Sequence, residues 1–178
     1  ENAGRARSSV CELYERGVSI GVLSKAYGLP GLRIGWLASR DRETLTALSR
    51  FKNYLSICCA TPSEELALTA LRHAPALLAR NRAIVRANLA LADAFFARHA
   101  GLFIHNRPLA GPVGFHRLNI DGPATEFCER LARQAGVLLL PGNVYGVDEP
   151  YFRMGYGRRN FGENLAHFEA WLAEAKLD

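Results

Sequence analysis

Lys25 is the residue of this chain best placed to act as a nucleophile. It stands in the segment Ser24-Lys25-Ala26-Tyr27-Gly28-Leu29-Pro30-Gly31-Leu32-Arg33-Ile34-Gly35-Trp36, directly after the apolar run Val18 to Leu23. The chain has three lysines against nineteen arginines. Lys52 falls in a polar helical stretch and Lys176 in the last helix, and both read as solvated. Lys25 falls where a strand expected to be buried gives way to a glycine-rich turn. Desolvation at such a place favours the neutral amine, the form that attacks carbonyl carbon.

An arginine, Arg33, follows Lys25 by eight positions, with Gly35 two further on, and a second notable segment, Tyr151-Phe152-Arg153-Met154-Gly155-Tyr156-Gly157, lies far downstream. The first segment resembles the cofactor-lysine segment of the class I/II aminotransferases, fold-type-I enzymes that use pyridoxal 5′-phosphate (PLP). The second is similar to the family segment whose arginine holds the substrate carboxylate. A lone Ser-Lys or a lone Phe-Arg-x-Gly says little. The two together, in the right order, are specific. The resemblance covers essentially the whole chain but only the C-terminal part of a family member.

The resemblance implies PLP as cofactor, with Lys25 forming a Schiff base with its aldehyde and then shuttling a proton as general base and acid. Arg33, helped by the Ser24 hydroxyl, is implied as the phosphate ligand, because a guanidinium offers a permanent charge and a fork of donors. The glycines at 28, 31 and 35 would let backbone pass close to the ring or phosphate. The family often has a further serine three residues before the lysine, where this chain has Val22. That departure shifts more of the phosphate binding onto Arg33, Ser24 and upstream residues. Arg153 is implied as the clamp on the substrate α-carboxylate, positioning one Cα bond perpendicular to the cofactor plane.

The implied substrates are an amino acid and a 2-oxo acid, and the implied assembly is a homodimer with sites shared between subunits. Other residues stay open between two readings. Arg158 and Arg159 read as surface charges or as ligands for a second acidic group. Asn143, Val144 and Tyr145 form either a loop near the substrate side chain or a plain surface turn. Tyr27 either lines the site or packs beneath the turn, and Tyr54 with Thr61-Pro62-Ser63 is a weak candidate for facing a partner's site. Two alternatives to aminotransfer stand: another PLP-dependent reaction (lyase, cyclase or decarboxylase), or a non-catalytic truncated domain. A complete family member is about twice as long and supplies, from a preceding segment, the residues that stack on the ring and pair with the pyridinium nitrogen.

Bulk composition narrows the remaining classes. The chain has 178 residues, 49% of them hydrophobic, so a packed core is feasible. The net charge of +5 comes from arginines spread along helices rather than from a basic stripe with interleaved aromatics, which argues against nucleic acid. Apolar runs are too short to cross a bilayer, and the expected compartment is the cytoplasm. Cys11, Cys58, Cys59 and Cys128 contain no Cys-x-x-Cys pair and read as free, mostly buried thiols. His73, His99, His105, His116 and His167 show no metal-ligand spacing and are assigned no catalytic role. Glu1 to Gly4 reads as the inside of a longer polypeptide.

The elements that must position Lys25, Arg33 and Arg153 are legible in outline. A helix over Ser8 to Arg16 ends at Gly17. Val18 to Leu23 is a buried strand, and Leu32 to Ala38 the next strand, with Arg33 and Gly35 on one face. Asp41 caps a helix reaching about Tyr54, Ser63 caps another, and Pro75 breaks it. A long helix runs from Ala76 to about Ala100. Strands follow at Leu102 to His105, Val113 to Ile120, Val137 to Leu140 and Tyr151 to Tyr156, with a helix over Pro123 to Gln134. Asn160 and Glu163 resemble a capping box opening a last helix, Leu165 to Lys176. The expected fold is α/β: the C-terminal part of a fold-type-I PLP-dependent transferase, with a remnant of the large-domain sheet (residues 1–75), a long connecting helix (76–100) and a small α/β domain (101–178).

Overall fold

Two glycines let the strands around the Lys25 segment pair closely. Strand β1 (Val18–Val22) runs antiparallel to β2 (Gly35–Ser39), with Gly21 opposite Trp36 and Val22 opposite Gly35. A Cβ on Gly21 would lie 2.2 Å from the Trp36 indole, and one on Gly35 would lie 2.7 Å from the Gly21 carbonyl oxygen. The need for glycine at 35 therefore comes from strand packing. The computed structural model describes residues 8–175. The chain divides into two compact units, Glu1–Ala79 and Arg80–Asp178. Lys176 and Glu1 to Gly4 lie outside the described residues.

In the first unit a single helical turn, α1 (Val10–Leu13), precedes β1. The helix expected over Ser8 to Arg16 is shorter because Tyr14 turns extended, and a Cβ on Gly17 would strike the Val10 carbonyl oxygen. Strand β1 is not buried as expected. Only the following residue, Leu23, is fully enclosed, while Ile20 is 76% exposed. Among the described residues the sheet has two strands, and none of the elements packed on it shields Ile20. Helix α2 (Arg42–Ser56) packs on β2 and starts where Asp41 predicts it: the Asp41 carboxylate accepts from the Thr44 N–H at 3.1 Å and from its hydroxyl at 2.7 Å.

Helix α3 (Thr61–Arg72) begins two residues before the expected Ser63 cap. Its N-cap is Ala60, and Pro62 occupies the first turn, where a missing N–H costs no hydrogen bond. Helix α4 (Ala74–Arg98) takes Pro75 into its own first turn, so the break falls at His73. Large apolar side chains of the first unit remain exposed, among them Trp36, Phe51, Tyr54, Leu55 and Leu66.

The second unit is built on alternation. Strands β3 (Phe103–Ile104), β4 (Val113–Leu118), β5 (Leu140–Pro141) and β6 (Tyr151–Gly155) form one antiparallel sheet in the order β3-β4-β6-β5. On β4, Gly114, His116 and Leu118 are buried, and on β6 Phe152 and Met154 are. These join Phe95 and Phe96 of α4, Phe127 and Leu131 of α5 (Thr125–Ala135), and Phe168 and Trp171 of α6 (Phe161–Glu174) in one core. Phe152 is fully buried there, and truncating it to Ala would cost about 3–5 kcal/mol. The opposite face of the sheet carries Val113, Phe115, Tyr151 and Arg153, all half-buried.

The expected strand at Val137 to Leu140 shrinks to Leu140–Pro141. Val137 and Leu139 do point inward, but Leu138 is exposed and pairing starts only at Leu140. The Asn160–Glu163 capping box does not form: Asn160 is the N-cap of α6 without a side-chain bond, since its φ of −87° and ψ of 22° are not the extended geometry a cap side chain needs. The cysteines are free, yet only Cys128 is buried; Cys58 is exposed and Cys11 and Cys59 are half-buried. No helix among the described residues is long and apolar enough to cross a membrane.

Candidate active site

The connection between β1 and β2 carries three of the four residues picked out from the sequence. Leu23 is fully buried and anchors it: its N–H donates to the Ile34 carbonyl at 3.1 Å, and its carbonyl accepts from the Leu29 N–H at 3.0 Å. Those bonds close the segment into a loop whose two ends are held by the hairpin. Within it the Gly28 N–H donates to the Lys25 carbonyl at 3.0 Å, and Gly28 has φ +69°, a left-handed conformation that glycine adopts without a Cβ penalty. Lys25 is exposed on this turn, and its Nζ makes no hydrogen bond or ion pair with another described residue. Ser24 beside it is half-buried.

Arg33 follows a single 3₁₀ turn, Pro30–Leu32, and is itself left-handed at φ 55° and ψ 36°. It is therefore not the first extended residue of β2, as the alternating pattern predicts. Pro30 fixes the turn, and the Arg33 Nη1 donates to the Pro30 carbonyl at 2.8 Å, which holds the side chain back over its own turn. That bond uses one donor of the guanidinium fork. Among the described residues no carboxylate forms an ion pair with Arg33 or with Lys25. Tyr27 packs edge-on to Trp36 at 6.5 Å, which favours the packing role for it.

Arg153 belongs to the second unit. Its neighbours across the sheet are Phe115 on β4 and Leu140 on β5. Its Nη1 donates to the Tyr145 hydroxyl at 2.8 Å. Tyr145 ends a 3₁₀ turn, Gly142–Tyr145, that Gly146 closes at φ +73°. The Phe115 ring stands edge-on to Tyr145 at 6.0 Å and stacks on Tyr151 at 5.2 Å. The arginine thus neighbours Phe115 across the sheet and donates one hydrogen bond to a phenol. Sequence reasoning left Tyr145 open and passed over Phe115. The strict alternation of Val113 to Leu118 was the available signal, since it puts Phe115 on the same face as the register partner Arg153. Tyr54 is 86% exposed near the end of α2 and joins none of these groups.

Within the first unit, the donor set is a primary amine without a partner among the described residues, a hydroxyl, and a guanidinium bonded there only to the Pro30 carbonyl, all on one connection. Such a set suits an aldehyde, through the amine, and a phosphate dianion, through the hydroxyl and the fork. The profile of aminotransferase class I and II matches residues 6–166. The chain belongs to that family. Its cofactor is pyridoxal phosphate, and the Lys25 connection fits it. Capreomycidine synthase of Streptomyces vinaceus is 36% identical over 132 residues, covering 74% of this chain and 34% of that protein. A PLP-dependent aminotransferase from Streptococcus suis superposes with a TM-score of 0.86 at 31% identity, covering 96% of this chain and 45% of the other. The PLP-dependent cyclase OrfR superposes at 0.80 with 31% identity, covering 88% of this chain and 43% of the other. The chain therefore spans between a third and a half of the length of these relatives, as a C-terminal portion of the fold would.

Proposed function

We propose that this chain is the lysine-bearing portion of a PLP-dependent aminotransferase that moves an amino group between an amino acid and a 2-oxo acid. The observation that carries the reading is the placement of Lys25 and Arg33 on one hairpin connection, both exposed and neither in an ion pair among the described residues. PLP supplies, when bound, the electron sink that stabilises negative charge on the substrate α-carbon. Lys25 Nζ would hold the cofactor through its aldehyde, and as a free amine would carry the proton removed from the substrate Cα. Arg33 and Ser24 hold the phosphate. Arg153 pairs with the substrate α-carboxylate, and Tyr145 fixes the orientation of its fork.

In this reading residues 1–75 belong to the cofactor-binding domain, 76–100 connect, and 101–178 form the small domain. The working form is a cytoplasmic homodimer. The exposed apolar side chains of the first unit, Trp36, Phe51 and Leu66 among them, favour a surface that is covered in the whole protein.

The test is to mix the full-length protein with PLP and record the visible band of the lysine-attached cofactor. Lys25→Ala is expected to abolish it, and a variant that keeps the band would overturn the role of Lys25. A second reading, a cyclising or other PLP-dependent conversion of an amino acid, is favoured by the 36% identity to capreomycidine synthase and the likeness to a cyclase. Product formed with no 2-oxo acid acceptor present would select it.

A further inference from the structure

Four polar side chains of the second unit, drawn from positions 93 to 156, meet in one line that runs from its half-buried edge into its aromatic core. The Tyr156 hydroxyl lies 2.5 Å from His116 Nε2, His116 Nδ1 lies 3.3 Å from His105 Nδ1, and His105 Nε2 lies 2.8 Å from Asp93 Oδ1. Arg107 Nε closes the outer end, donating to both Asp93 oxygens at 2.9 and 3.0 Å. His116 and Tyr156 are fully buried. We propose that Asp93, His105, His116 and Tyr156 form a single directed hydrogen-bond chain that latches the end of β6 to α4, and that one added proton reverses it, making the latch pH-sensitive.

The direction follows from counting protons. Burial raises the Asp93 carboxyl, but hydrogen bonds from His105 and Arg107 outweigh it and hold the group below the usual carboxylate range. Asp93 is thus an acceptor, and His105 must donate from Nε2. A neutral His105 then offers a lone pair at Nδ1, so His116 donates from Nδ1. Its Nε2 is left as an acceptor, and the Tyr156 hydroxyl donates to it. Each link holds one proton. A further proton on His105 occupies Nδ1 and makes it a donor. His116 must then accept at Nδ1 and donate from Nε2, and the Tyr156 hydrogen is displaced. Among the described residues the Tyr156 hydroxyl has no other partner to receive it. A buried hydroxyl hydrogen without an acceptor is costly.

Aromatic rings enclose the His116 and Tyr156 end of the chain, while Asp93 and His105 at the other end are half-buried. Phe96 of α4 stacks on His105 at 4.4 Å and leans on His116 at 4.5 Å, Phe152 of β6 lies 5.7 Å from His116, and Phe161 of α6 lies 5.7 Å from Tyr156. The charges that reach it are Asp93 on α4 and Arg107 after β3. Gly114 makes room for the junction: a Cβ there would sit 2.3 Å from His116 Nε2 and 2.6 Å from the Tyr156 oxygen. Tyr156 directly follows β6, and Asn88 of α4 holds the same stretch by donating to the carbonyls of Tyr156 at 2.9 Å and Arg158 at 2.7 Å. Both hooks bear on the strand that carries Arg153. That consequence rests on the function proposed above, whereas the latch itself does not.

Long-range proton–nitrogen NMR on the 178-residue chain tests it without a cofactor. At neutral pH the expected protonated nitrogens are Nδ1 of His116 and Nε2 of His105, and on acidification the His116 ring is expected to reverse, with Nε2 gaining the hydrogen that Nδ1 loses. Finding His116 protonated at Nε2 at neutral pH, or a His116 ring that keeps its hydrogen on Nδ1 throughout acidification, overturns the proposal. Tyr156→Phe removes the hydroxyl donor and is expected to shift the His116 transition to higher pH, and an unchanged transition would also overturn it. Lys25→Ala leaves these signals as they are, so failure of the proposed function and failure of the latch are read separately.

Discussion

Arg153 and Tyr145 are joined by a 2.8 Å hydrogen bond in which the guanidinium Nη1 donates to the phenol oxygen. An arginine on a strand has several rotatable bonds to lose when it meets an anion. A fixed phenol acceptor restricts the fork beforehand, so less entropy is lost on binding. If Arg153 takes the substrate carboxylate, Tyr145→Phe is expected to raise KM for the amino donor about 5- to 10-fold, for a lost bond of about 1 kcal/mol, with kcat nearly unchanged. Steady-state kinetics on the full-length protein reads this, and a drop in kcat at constant KM would contradict it.

Arg33 is expected to govern cofactor affinity rather than stability of the fold, because among the described residues its side chain bonds only to its own turn at Pro30. Arg33→Ala should weaken PLP binding by roughly 10- to 100-fold, for a charge-assisted interaction of about 1.5–3 kcal/mol. Arg33→Lys should recover only part of it, since an ammonium lacks the fork. Equilibrium dialysis against PLP measures both.

The hairpin depends on its paired glycines. Gly21→Ala places a Cβ against the Trp36 indole and Gly35→Ala places one against the Gly21 carbonyl. Overpacking of this kind costs about 1–3 kcal/mol. Gly35→Ala should be the worse of the two, because backbone yields less than a side chain. Thermal unfolding followed by circular dichroism checks the order.

Stability should fall with acid through His116. Burial, with the neighbouring His105, lowers its pKa to about 3, against about 6.5 in an unfolded chain. As pH falls the unfolded chain therefore takes up the proton first. Stability is unaffected above about pH 6.5 and declines from there to about pH 3, by up to about 1.4 kcal/mol per unit. Denaturant titrations at several pH values test this, and His116→Gln should flatten the slope in that window.

Thiol chemistry should separate the cysteines. Burial pushes the Cys128 thiol up to about 12, whereas Cys58 is exposed. A small alkylating reagent at neutral pH is expected to modify Cys58 and to spare Cys128 until the chain unfolds, as peptide mass mapping would show.

What the sequence by itself determined is local. The Asp41 cap binds the Thr44 N–H three residues on, β4 and β6 show period-two burial, and Lys25 and Arg33 share one short connection; each is set by spacing along a few residues. Where a local signal met a local competitor it failed: Pro62 in the first turn moved the start of α3 to Thr61, and the Pro30 turn drew Arg33 out of the strand. Burial of β1 could not be read locally, because it depends on what lies over Ile20 rather than on Ile20. Tertiary structure alone decided that His105 and His116 meet between Asp93 and Tyr156, and that Tyr145 reaches Arg153. Those contacts are created by sheet register and helix packing, which bring together side chains whose distance in sequence carries no periodic trace.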